Sequence, residues 1–246
     1  MALKASPDDQ ALLLDLQALD TKLAQLDHRA KSLPELATLA GLATEADALR
    51  LTRLERQGFV ENVQLELSRV ESDVQVVEAR ISRDGERLQG SSSVKDVAAL
   101  EQELSALRKR LDDLEEIELS VMEKLEEHQR ELGETTAALE QLQARQREVE
   151  AARDAELAEL QAERTTAAAG RRTIEAKIPA ELLALYEKQR SRYGTGASLL
   201  RGGVSLASGV KLLEDELAKI RAAAPDDVLI CPSSDAILVR TDESGL

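Results

Sequence analysis

Leu100, Leu104, Leu107, Leu111 and Leu114, then Val121 and Leu125, recur at intervals of four, three or seven, and the pattern resumes at Leu132, Leu139 and Leu142. Only a helical period gathers such residues on one stripe, and a stripe this long needs a partner helix to cover it. Glu118, His128 and Thr135 fill the seam positions in between. An earlier stretch repeats the pattern with Leu12, Leu16, Leu19, Leu23 and Leu26, and later with Val63, Leu67, Val70, Val74, Val77 and Ile81. Ser6 with Pro7 and Asp9 has the spacing that opens a helix. Leu33-Pro34 predicts a kink or short break, because proline lacks an N–H and disfavours helix at the residue before it. Ser32 and Glu35 are placed to cap the restart.

Between the two stretches, Arg83 to Ser93 holds Gly85, Gly90 and three consecutive serines, and Ser93-Val94-Lys95-Asp96 reads as a new helix start. The arms on either side are roughly 80 residues each, or about 120 Å if fully helical. Equal arms around one short turn predict a mainly α protein. Its core is a long antiparallel coiled-coil hairpin over residues 1–178, with the turn near 84–93. Residues whose numbers sum to about 178 are then expected to lie side by side, Leu67 near Leu111 for example. Two parallel dimeric coiled coils, or pairing of two hairpins in a homodimer, would also cover the seams.

Composition supports a helical reading and opposes an enzyme. Of 246 residues, 32% are charged and 1% aromatic, there is no Trp, and Gly and Pro number 12 and 5. Long helices have this profile, whereas a compact catalytic domain fills its core and pocket with bulkier side chains. No phosphate loop, carboxylate pair or nucleophile–base set stands out, so a non-enzyme is expected. Cys231, the one cysteine, excludes an intrachain disulfide and has no histidine near it in sequence. No apolar run approaches the ~20 residues of a membrane span. Met1 to Gln10 has no signal-peptide pattern, so a cytoplasmic location and no membrane partner are expected. The net charge of −15 opposes broad binding to nucleic acid or anionic lipid.

After Pro179 the composition shifts. Ala180 to Arg192 reads as a helix, Ala197 to Leu200 and Val204 to Leu206 as short apolar pieces among glycines, and Leu212 to Arg221 as another helix. Val228 to Ile230 and Ala236 to Val239 read as a strand hairpin around Cys231-Pro232-Ser233-Ser234-Asp235. Residues 179–246 are thus a small α+β module with little core of its own.

Four stretches carry a family resemblance. They are Val94-Lys95-Asp96-Val97-Ala98-Ala99-Leu100-Glu101-Gln102-Glu103-Leu104, then Leu114-Glu115-Glu116 with Glu118-Leu119-Ser120-Val121-Met122-Glu123, then Ile220-Arg221-Ala222-Ala223-Ala224-Pro225-Asp226, then Ile237-Leu238-Val239-Arg240. In this order the chain resembles bacterial, actinobacterial-type proteins built from a coiled-coil hairpin and a C-terminal four-cysteine zinc ribbon. The resemblance implies two Cys-x-x-Cys pairs around one Zn²⁺. Their positions fall on Ser205 and Ser208, and on Cys231 and Ser234, so three of four ligands are serine. Serine keeps its proton at neutral pH and is a poor zinc ligand. The expectation is therefore a ribbon-like module lacking metal, with no cofactor. Packing of Leu199, Leu200, Leu206, Leu212, Leu213, Leu217, Ile220, Leu229, Ile237 and Val239 is expected to stand in for the metal.

The function expected is that of a non-enzymatic scaffold, adaptor or chaperone-like protein, binding protein partners through its long coiled coil and end module. The alternative is nucleic-acid binding through the ribbon-like module, using Lys188, Arg190, Arg192 and Arg201 beside Tyr193. Against it, the module carries little net charge and sits on acidic arms.

Overall fold

The computed structural model describes residues 3–246. Helix α1 spans Pro7–Lys31, α2 spans Pro34–Gly90, and α3 spans Val94–Glu175. They are followed by α4 (Ala180–Tyr193), β1 (Ala197–Arg201), β2 (Val204–Ser205), β3 (Val210–Lys211), α5 (Glu214–Ala222), β4 (Leu229–Ile230), β5 (Ile237–Val239) and a 3-10 turn at Asp242–Ser244. The result is mainly helical, a long helical hairpin with a small strand-containing C-terminal module. Two compact units divide the chain, one of residues 35–151 and one of the N-terminal 34 residues with residues 152–246.

In the unit of residues 35–151, α2 and the first part of α3 run antiparallel. Leu42 and Ala46 are buried with Leu139 and Leu142, and Leu100, Leu104, Leu114 and Val121 are buried further along α3. The expected α3 seam is therefore present, including its polar members. Thr135 is buried and accepts from Arg56 Nη1, which also donates to the Glu131 carbonyl at 2.6 Å. His128 stacks on Phe59, with ring centroids 5.6 Å apart.

The turn is shorter than the sequence suggests. Gly85 and Gly90 stay helical, and only residues 91–93 leave the helix. A helical glycine costs only about 1 kcal/mol, and α2 carries its inward face past Gly85, with Ile81 and Leu88 half-buried and Asp84 buried. This moves the pairing register. Phe59 meets His128 and Arg80 meets Glu103, pairs whose numbers sum to 187 and 183, not 178. Leu67 thus comes abreast of the turn holding Glu118 and Val121, not Leu111. A Phe59→Cys/His128→Cys double variant is expected to crosslink within one chain at every dilution, and Leu67→Cys/Leu111→Cys is expected not to. Non-reducing gels read both.

In the other unit, Ser6 Oγ accepts from Asp9 N at 3.1 Å and opens α1. Ser32 closes it, its hydroxyl donating to the His28 carbonyl at 2.8 Å, so the break before Pro34 is present. The end of α3 lies along α1, with Leu26 and Leu33 against Leu160 and ion pairs Lys22–Glu163 and Arg29–Glu156.

The five strands form one sheet in the order β3-β2-β1-β5-β4. β1 pairs parallel to β5, and the other neighbours are antiparallel. Alternation along β5 builds two cores. Ile237 and Val239 face Leu13 and Leu16 of α1 and Leu182 and Tyr186 of α4. Leu238 joins Leu200, Leu212, Leu217, Ile220 and Cys231 on the α5 side. The boundary at residue 178 expected from composition falls inside this unit, because α1 and the strands share a core. Lys4 bridges to Asp227 and adds the N-terminal segment to it. Leu206 and Leu213, expected inside, are 54% and 71% exposed. Leu206 lies just past the two-residue β2, and Leu213 is the N-cap of α5.

Candidate functional site

The four positions aligned with zinc ligands belong to one cluster. Ser205 ends β2 and is fully buried, Cys231 follows β4 and is fully buried, and Ser208 and Ser234 are half-buried. The two segments form matching turns. Gly209 N donates to the Ser205 carbonyl at 2.8 Å and Asp235 N donates to the Cys231 carbonyl at 2.9 Å. Each turn ends on a left-handed residue, Gly209 at φ 67° and Asp235 at φ 54°, the latter a conformation in which Asp and Asn are the best tolerated non-glycine residues.

Hydroxyls and one thiol fill the space between the turns. Ser198 and Ser205 hydroxyls lie 3.2 Å apart, and Ser198 Oγ accepts from Ala207 N at 2.8 Å. Ser233 Oγ donates to Ser208 Oγ at 3.1 Å and sits 3.2 Å from Cys231 Sγ. Burial pushes the Cys231 thiol up, but the hydroxyls of Ser205, Ser233 and Ser234 favour the thiolate more, and the net value falls to about 7. Sequence reasoning did not find Ser198 and Ser233. The signal available was their place in the same serine-rich turns and strand.

This donor set does not suit zinc. One thiol and three hydroxyls, two of those hydroxyls already engaged with serine neighbours, are not the closed set of thiolates and imidazoles that a structural zinc needs. Among the described residues no group of three or more His, Cys, Asp or Glu is placed to hold a metal. Restoring Ser205→Cys, Ser208→Cys and Ser234→Cys together is expected to create stoichiometric zinc binding and a metal-dependent rise in stability. Elemental analysis and melting with and without zinc check this.

The four basic residues do not form a set of free cations. Arg190 turns toward Asp20 and Glu187, at 3.4 and 2.8 Å. Arg201 pairs with Glu243 at 3.1 Å. Arg192 lies over the Tyr193 ring, 5.5 Å from its centroid, and Lys188 is exposed on α4.

A second feature of this unit is a shallow groove of about 740 Å³ between α1 and the segments of β1 and of the turn after β2. Leu14, Ala18 and Thr21 line one side and Leu199, Leu206 and Ala207 the other. Gln17 fixes its floor, since its Oε1 accepts from Gly196 N at 2.8 Å.

A long helical hairpin whose base packs on a small mixed sheet defines a class, and sequence comparison identifies it. The chain belongs to the CT398-like coiled coil hairpin domain family, whose model matches residues 16–194. An uncharacterized protein of Mycobacterium tuberculosis strain H37Rv is 34% identical over 241 residues, 98% of each chain. A solved structure from Mycobacterium smegmatis is 35% identical with a TM-score of 0.86, covering 97% of this chain and all of that one. CT398 of Chlamydia trachomatis, 18% identical with a TM-score of 0.64 over 95% of this chain and 98% of its own, shares the fold.

Proposed function

We propose that this protein is a non-enzymatic adaptor or chaperone-like scaffold, acting in the cytoplasm. It holds protein partners through its hairpin and through a metal-free, zinc-ribbon-like end module. The observation that carries this reading is the division of labour in the end module. Its buried polar groups are spent on one another, in the hydroxyl–thiol cluster and the Asp20 ion network, while the groove beside β1 and β2 leaves Leu206 more than half exposed. Such a surface suits an apolar peptide segment better than a substrate needing acid–base chemistry or a phosphate backbone needing free cations. Among the described residues no helix is long and apolar enough to cross a membrane.

The test is affinity capture from the native cell, with the wild-type chain and with Leu206→Glu. Leu206 is exposed, so the variant is expected to fold normally and to lose a protein that the wild type retains. Retention of no protein, or retention unaltered by Leu206→Glu, would count against the end module as the docking element. Salt-sensitive retention of nucleic acid alone would overturn the adaptor reading.

A further inference from the structure

Helix α2 carries a second stripe, on the side away from its partner helix. The inward seam of α2 includes Ala46, Val60, Val63 and Val70, and the positions farthest from it recur every seven residues as Ala37, Thr44, Leu51, Gly58, Leu65, Ser72 and Ala79. None of these seven is charged, in a chain where 32% of residues are, and the row ends on a charge only at Glu86, in the last turn but one of α2. The corresponding outward row of α3 runs Gln102, Lys109, Glu116, Glu123, Arg130, Ala137 and Ala144, charged through its middle where the α2 row is apolar. On α2, by contrast, Leu51, Leu54, Leu65 and Val76 are exposed at 60–66%. Gly58 sits mid-row, and a Cβ built on it would meet nothing within 4 Å, as is also true of the helical glycines Gly41, Gly85, Gly90 and Gly133; what sets Gly58 apart is its place at the centre of the row. A helical glycine forfeits up to about 1 kcal/mol relative to alanine. Close approach of another backbone gives it a use.

We propose that this face of α2 is where a second copy of the chain docks, antiparallel, with the two-fold axis at Gly58. A two-fold interface must be complementary to itself, and this row reads alike from its centre in both directions. Leu51 on one copy comes opposite Leu65 on the other, Thr44 opposite Ser72, and Ala37 opposite Ala79. The flanking acidic residues meet no acidic partner in that register, since Glu55 comes opposite Asn62, Glu61 opposite Leu54, and Asp47 opposite Ser68. Two copies of a chain with net charge −15 repel over most of their surface, and this stripe is uncharged. From Ala37 to Ala79 it is about 60 Å long at 1.5 Å per residue. At ~10 Å wide it would bury about 600 Å² per copy, the lower end of what a stable dimer uses.

Mass measurement by light scattering tests this, together with site-directed crosslinking. The wild-type chain is expected at twice 26.8 kDa at micromolar concentration, and Leu65→Arg at the monomer mass with unchanged helix content. Gly58→Cys is expected to crosslink between copies. A mixture of Thr44→Cys and Ser72→Cys chains is expected to give the mixed crosslink, and Thr44→Cys alone none. A monomer at all concentrations overturns the proposal. So does a dimer that Leu65→Arg leaves intact, or one that crosslinks through Thr44→Cys alone.

Discussion

Gly196→Ala is expected to destabilise the end module by about 3 kcal/mol or more, the upper end of what overpacking costs. Gly196 precedes β1, and a Cβ on it would lie 2.4 Å from Cε2 of Tyr186. The ring cannot retreat. Tyr186 is fully buried, and its hydroxyl donates to Asp20 Oδ2 at 2.7 Å. The strand cannot retreat either, because Gly196 N donates to Gln17 and its carbonyl accepts from Ile237 N at 2.9 Å. Urea unfolding followed by near-ultraviolet tyrosine dichroism reads this locally, since Tyr186 and Tyr193 are the only tyrosines and both lie in this unit. Gly133→Ala is the matched control. Its Cβ would meet nothing within 4 Å in α3, and a gain of about 0.5–1 kcal/mol is expected there from helix propensity alone.

Asp20→Ala is expected to cost about 3–5 kcal/mol, as removing one member of a buried charge cluster does. The Asp20 side chain is only 4% exposed and sits 2.7 Å from Arg171 Nε and 3.4 Å from Arg190 Nε. Arg171 also pairs with Glu175 and Glu187, so one carboxylate ties α1 to both α3 and α4. Burial, then the hydrogen bond to Asp20, push the Tyr186 phenol above its ordinary range. Without Asp20, two guanidinium groups keep their positions with less compensating charge, and the tyrosine hydroxyl loses its acceptor. Asp20→Asn keeps the shape and removes the charge. It is expected to recover only part of the loss, which equilibrium unfolding measures.

These two sites show where sequence reading stopped. The α3 seam was legible to the residue, polar members included, because a three–four repeat has one helical solution. The register was not. It depended on whether Gly85 and Gly90 would break α2, a contest between propensity and packing that spacing does not decide. In α1 the expected Leu12, Leu19 and Leu23 are only half-buried, while Leu13 is fully buried. That face is shaped by α4 and β5 as well as by α3, and those neighbours come from far along the chain. Asp20 gave one faint sign, lying on the same three–four spacing as Leu13 and Leu16. Gly196 against Tyr186 gave none, since it is a contact made only by the fold. The matched turns at Ser205 and Cys231 were located by resemblance, but the hydroxyl network joining them needed Ser198 and Ser233, which that alignment passes over.

Two apolar cores, the Asp20 network and a hydroxyl–thiol cluster join α1, α4, α5 and the sheet, and the end module is expected to stand on these without a bound metal. The most direct test is the zinc content of the purified protein, with its thermal melting followed by tyrosine dichroism before and after a chelator. Far less than one zinc per chain and an unchanged melting curve are expected. One zinc per chain, with loss of the tyrosine signal on chelation, would contradict the account.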